Sequence, residues 1–332
     1  MRDTLNDMQL YLVDEYVEDY QEGLLSRRDA LKRITAITGS MAFATSILAA
    51  CSPAEPAADT GASAAASNGN GTASNGASAA PAASQAAAAS PDPEVTVAEG
   101  DPAIEAQMVT FPGESTELMA YQAKPTGDGP FPIILVCHEN RGLTPHIQDV
   151  TRRLAKAGYA ALAVDLLSRQ GGTAAITNPE EISGALGNAP EGQPAQDFRS
   201  GLSYMQTQSF VDGAKVGMTG FCYGGGVTWR AATVMPELRA AVPFYGPAPS
   251  VDAVPNIQAA VLAIYAEQDE RINAGIAEIE AAMQQNGKTF QKIIYPGVNH
   301  AFHNDTGQRY NREVAQQAWG ETLRWFEQYV KA

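Results

Sequence analysis

Three side chains suited to covalent acyl transfer follow one another along the chain: Cys222, Asp269 and His300. Cys222 lies in "GFCYGGG", a Gly-x-Cys-x-Gly turn between the apolar run "KVGMT" and the helix-like run "VTWRAATVM". A sharp strand-to-helix turn explains the glycines, because side chains at Gly220 and Gly224 would collide there. Such a turn exposes the sulfur at a helix N-terminus, where backbone N–H groups and the helix dipole favour a thiolate. Without that help a free thiol, titrating near ~8.5, stays mostly protonated at neutral pH. Asp269 follows the run "AAVLAIYAE" and His300 follows "FQKIIYP". In that arrangement the imidazole takes the thiol proton and returns it to the leaving group, while the carboxylate orients the imidazole. Singly, each residue has a plainer reading: a tight Gly-rich packing turn, a helix N-cap aspartate, a satisfied surface histidine. Three in order, each after its own strand, favour the triad.

The elements that must hold these residues alternate. From about Ile104, "AQMVTFP" and "ELMAYQAK" read as two strands joined through "GES". "FPIILVC", "AALAVD", "KVGMTG", "AAVPFYG", "AAVLAIYAE" and "FQKIIYP" are apolar runs of the kind buried on both faces of a parallel sheet. Helices are expected near Pro145 to Ala157, at about 195–208, 225–235 and 272–286, and from about Asn311 to Val330. This pattern predicts one α/β domain, a mostly parallel sheet with helices on both faces, whose chemistry sits at the carboxyl ends of the strands. The order nucleophile, acid, histidine is that of the α/β-hydrolase fold. In that fold two backbone N–H groups form the oxyanion hole, here assigned to Asn140 of "CHENRG" and to Tyr223. Glu139 would then stand close to the cysteine, a carboxylate that oxyanion binding does not require.

The chain has 332 residues, 45% of them hydrophobic, and a formal charge of -15. That charge argues against nucleic acid as a partner. Three cysteines, Cys51, Cys137 and Cys222, do not make a disulfide framework. Residues 1–100 differ in kind from the rest. "SRRDALKR" precedes an uncharged stretch from Ile34 to Ala50 that ends "LAAC". Twin arginines, an apolar stretch and small residues before a cysteine resemble a twin-arginine lipoprotein signal. That resemblance implies export of a folded protein, cleavage before Cys51 and a lipid on its sulfur, so that the enzyme is anchored to a membrane and faces the periplasm or the cell exterior. Residues 3 to 22 are acidic, suggesting nothing beyond an amphipathic helix. Ala, Ser, Gly, Asn and Pro dominate from Ser52 to about Pro93, which reads as a disordered tether. The expected division is a signal over 1–50, a tether over 51–95 and the folded domain over 96–332.

"CHENRG", "VDLLSRQ", "VGMTGFCYGGG", "QDERI" and "GVNHAF" together resemble the dienelactone hydrolase family, over roughly Ile104 to Val330. The resemblance implies a Cys222–Asp269–His300 triad and a small ester or lactone substrate; no cofactor, no metal and a monomer are expected beside it. It further implies that Glu139 pairs with the resting cysteine until substrate displaces it. The family's best-known members hold a substrate carboxylate with two arginines. One of those positions is Asn304 here, and the segment matching the other has no arginine. Arg141, Arg169, Arg271 and Arg309 are the remaining candidates, with Arg169 of "SRQ" read as a loop support. Three rivals stand beside the hydrolase: a metal site from His138, Glu139, His300 and His303, a redox pair of Cys137 and Cys222, and a non-catalytic ligand-binding lipoprotein on a hydrolase scaffold.

Overall fold

A computed structural model describes residues 4–50 and 95–332. The expected tether and Cys51 lie outside the described residues. Eight strands form one sheet: β1 (Ile104–Pro112), β2 (Glu117–Pro125), β3 (Phe131–Cys137), β4 (Ala160–Asp165), β5 (Val211–Phe221), β6 (Leu238–Phe244), β7 (Ala260–Ala266) and β8 (Phe290–Tyr295). Their spatial order is β1-β2-β4-β3-β5-β6-β7-β8. The first two pair antiparallel, β2 pairs antiparallel with β4, and every other pairing is parallel.

The burial pattern explains the order. All residues of β4 and β7 are buried, as are Ile133–Cys137 of β3 and Val216–Phe221 of β5. Strands without a polar face need cover on both sides, and helical crossovers supply it. The edge strand β1 buries only Ile104 and Phe111 and leaves Met108 half exposed.

The helices are α1 (Asp7–Gln21), α2 (Arg27–Thr38), α3 (Met41–Ala50), α4 (Pro145–Lys156), α5 (Pro179–Gly187), α6 (Gln193–Gln206), α7 (Tyr223–Val234), α8 (Glu270–Asn273), α9 (Ile276–Gln285) and α10 (Arg312–Phe326). The helix expected over 272–286 is two pieces. Asp269 caps the short α8, its Oδ1 accepting from Ile272 N–H at 3.2 Å, and the chain breaks before α9 at Gly275. The segment 171–195 contains α5, which starts at an Asn178 cap.

The N-terminal residues are folded against the hydrolase body. Helix α1 starts in a capping box between Asn6 and Gln9 and buries Met8, Tyr11, Leu12, Val13, Glu15, Tyr16, Val17 and Asp19, a wide face covered by α2, α5 and α7. Gly39, in the left-handed region at φ 68°, ends α2 and divides the apolar stretch Ile34 to Ala50 between two helices. Among the described residues no helix is long and apolar enough to cross a membrane. Helices α2 and α5 pack closely, since a Cβ on Gly187 would stand 2.9 Å from the Ile37 side chain. The sequence alone gave no reason for 1–50 to touch the body; the contact arises from the apolar stripe of α1 and the small residues of α5.

Candidate active site

The turn between β5 and α7 places Cys222 at φ 59°, ψ −121°, a conformation rarely adopted by residues with a Cβ. The glycines around it allow the turn to press against β3. A Cβ on Gly220 would lie 2.2 Å from the Gly224 carbonyl oxygen, and one on Gly224 would lie 2.5 Å from those of Cys137 and His138. The sequence reading of these two positions therefore has a steric basis. Cys222 is the N-cap of α7, and the Tyr223 N–H that follows belongs to the first helical turn, whose N–H groups have no intrahelical acceptor. Asn140 lies in the turn after β3 and lines the same cavity as Cys222.

Asp269 follows β7 and His300 follows β8, so both stand at the carboxyl ends of adjacent strands. His300 Nδ1 lies 2.6 Å from Asp269 Oδ2, with both side chains almost fully buried. The Cys222 sulfur and the nearest His300 ring nitrogen lie within 4.8 Å of each other. Burial raises the Asp269 carboxyl, but the charge and hydrogen bond of His300, then Arg271, outweigh it and hold the group below its ordinary value. Burial works against charge on His300, yet Glu15 first and Asp269 next lift it well above the usual imidazole range. The Cys222 thiol is pushed up by burial and by Glu15, with His300 opposing.

Glu139 is buried and accepts a 2.6 Å hydrogen bond from Asn304 Nδ2. The residue standing where the family's arginine would be is therefore bound to Glu139. His138 donates from Nδ1 to the Glu139 carbonyl at 2.7 Å and accepts from Leu166 N–H at Nε2, which fixes it as a neutral structural ring; burial lowers its pKa accordingly. His303 lies among aromatic rings, stacked on Phe221 at 5.0 Å. The four residues of the metal rival are thus not gathered. Among the described residues the one cluster of three with metal-ligand geometry is Glu15, Cys222 and His300. Cys137 is fully buried at the end of β3, and both it and Cys222 are free thiols.

The candidate arginines separate clearly. Arg169 forms a two-bond pair with Asp197 at 2.7 and 2.9 Å, supporting its loop. Arg141 is exposed at the rim of the cavity. Arg271 and Arg309 face α1. Sequence reasoning missed Tyr11 and Glu15, which reach the site from a segment expected to be removed. Tyr11 Oη lies 3.1 Å from the Cys222 sulfur, and a Glu15 oxygen lies 3.4 Å from His300 Nε2. Their helical spacing was visible, but nothing in the sequence said what that face would meet. The remaining cavity is about 430 Å³, bounded by Glu15, Asp19, Asn140, Cys222, His300 and Arg309 among others.

A parallel sheet with a cysteine at the strand-to-helix turn and an Asp–His pair at the next strand ends defines a hydrolase of the α/β type. The dienelactone hydrolase family model matches residues 118–330. A protein of Methylorubrum extorquens described as "Putative carboxymethylenebutenolidase" is 37% identical over 248 residues, covering 71% of this chain and 85% of that one. A protein of Escherichia coli K12 with the same description is 33% identical, covering 73% and 93%. A crystal structure described as "Putative Dienelactone Hydrolase" from Klebsiella pneumoniae superposes with a TM-score of 0.64 at 33% identity, covering 68% of this chain and 100% of that one. The chain belongs to the dienelactone hydrolase family and is an ester or lactone hydrolase.

Proposed function

We propose that this enzyme cleaves its ester or lactone through Cys222, Asp269 and His300. His300 Nε2 takes the Cys222 proton, and the sulfur attacks the substrate carbonyl. The resulting oxyanion rests on the N–H groups of Asn140 and Tyr223. Collapse breaks the carbon–oxygen bond, the departing oxygen takes the proton from His300, and a thioester remains. Water, deprotonated by His300, attacks that thioester; the acid leaves and the thiol is restored. Asp269 holds the imidazole in the tautomer that presents Nε2 and stabilises its charged form.

The observation carrying this reading is the 2.6 Å Asp269–His300 bond beside a cysteine in a strained elbow. Glu139 acts as the gate on the thiol: its charge disfavours a resting thiolate, and Asn304 keeps it in place. Since Asn304 is committed to Glu139, the substrate needs no carboxylate at that position. Residues 1–50 act as a twin-arginine lipoprotein signal removed before Cys51, so the mature enzyme hangs from a membrane by lipidated Cys51 and faces outward.

The test compares the chain with Cys222→Ala on p-nitrophenyl esters and simple lactones, before and after cleavage between residues 60 and 90. Turnover lost in the variant, with acyl mass on the Cys222 peptide of the parent, is the expected result. Equal turnover in both proteins would refute the cysteine mechanism. If neither turns over and no thioester accumulates, the non-catalytic ligand-binding reading takes its place.

A further inference from the structure

Helix α1 lies on the catalytic pair itself. Tyr11 Oη is 3.1 Å from the Cys222 sulfur, and Glu15 is 3.4 Å from His300 Nε2. Beyond them the acidic face meets two arginines of the body. Arg271 pairs with Glu15 and, at 3.1 Å, with Glu18, and its guanidinium lies over the Tyr11 ring at 4.8 Å. Arg309 pairs with Asp19 at 3.2 Å and Glu22 at 2.6 Å, and Asn299 donates to Glu22 at 2.7 Å. Tyr16 bonds Ser183 of α5 at 2.7 Å. Under this cover Cys222 is 3% exposed and His300 1%.

We propose that α1 is a built-in inhibitor of the hydrolase, docked on Cys222 and His300 in the unprocessed chain and withdrawn when the N-terminal segment is removed. The proposal rests on the reading of Cys222 as the nucleophile. A reacting carbonyl must come within about 3–3.5 Å of the sulfur, and Tyr11 holds that place. His300 must accept a proton at Nε2, and the Glu15 carboxylate there favours the imidazolium, which has no ring lone pair free to accept one. Arg271 and Arg309 position the helix through partly buried ion pairs. Arg27 and Arg28, just beyond α1, remain exposed, so docking leaves the twin arginines accessible. A protein exported in the folded state would otherwise carry an active thiol through the cytosol. While covalently attached the helix acts at high effective concentration; once cleaved it dilutes away.

The experiment inserts a site-specific protease sequence between residues 60 and 80 of the full chain, cleaves it, and separates the fragment by chromatography. Two rates are followed: iodoacetamide alkylation of the Cys222 peptide and p-nitrophenyl acetate hydrolysis. Both are expected to rise roughly tenfold or more, because the competent state is then fully populated instead of a minor one. A synthetic peptide of residues 4–26 should reverse both, raising KM for the ester without lowering kcat. Glu15→Gln in the uncleaved chain should raise both rates partway. Unchanged or slower alkylation after cleavage overturns the proposal. A fall in hydrolysis after cleavage also overturns it, by showing that α1 completes the site. Faster alkylation with no ester turnover in any form supports the inhibitor and removes the hydrolytic reading of Cys222.

Discussion

The sheet and the N-terminal helices are both buried where they meet, yet different forces hold them. Strands β3 to β7 are enclosed on both faces by apolar side chains and tied through parallel ladders. Their polar groups find partners within the body, as Asp165 does in Leu167 and Thr173. Helix α1 also buries Met8, Tyr11, Leu12, Val13, Tyr16 and Val17, and it adds charged contacts to the body: Glu15 and Glu18 on Arg271, Asp19 and Glu22 on Arg309. The pairs through Glu18 and Glu22 are partly exposed and weakened by salt, whereas Glu15 and Asp19 are buried and costly to leave unpaired. For α1 to act as the inhibitor proposed above, the body must keep its fold when the helix leaves the apolar core they share.

The largest effect should come from the core side. Leu135, fully buried at the centre of β3, is expected to cost about 2–5 kcal/mol of global stability on substitution by Ala, read as a lower denaturation midpoint for the whole body. Leu12, equally buried in α1, loses the same atoms in Leu12→Ala. There the body's midpoint should hold while iodoacetamide reaches Cys222 several-fold faster, on the order of the undocked population gained. A body midpoint that falls as far as in Leu135→Ala would erase the distinction between the two regions.

A smaller effect concerns the gate. Burial first, then Glu15, and with them Glu139, raise the thiol. Replacing Glu139 by Gln should speed alkylation of the cleaved protein a few-fold, by raising the thiolate fraction. Unchanged alkylation would remove Glu139 from that role.

The smallest effect is a pH slope. Asp19 is pushed up to about 6 by burial and by Glu15, with Arg309, Arg141 and His300 opposing. Its value is higher docked than free, so its contribution to docking is present below the free aspartate range and is lost as pH rises through about 6. The uncleaved chain should therefore become more open to alkylation between pH 5 and 7, after correction for the thiol's own titration in the cleaved protein. Asp19→Asn should flatten that difference.

Much of the body was legible without coordinates. Unalternating apolar runs name strands buried on both faces, so the alternation of elements and the mostly parallel sheet followed from local pattern. So did the elbow, because Gly220 and Gly224 flank Cys222 at the spacing a steric turn requires. Asp269 and His300 were found because the ends of neighbouring parallel strands are neighbours in space. Less was legible where a residue's meaning depends on a partner far along the chain. Asn304 looked like a missing arginine until Glu139 stood beside it. His138 and His303 looked like ligands until a backbone pair claimed one and Phe221 the other.

Helix α1 marks the division. Its sequence determined that Asp7–Gln21 would be helical with Met8, Leu12, Glu15 and Asp19 on one face, since helical periodicity and the Asn6–Gln9 cap are local. Only the tertiary structure decided that this face lies on Cys222 and His300, because the apolar stripe and acidic side chains are complementary to a surface assembled from α5, α7, Arg271 and Arg309, which no single stretch of sequence contains.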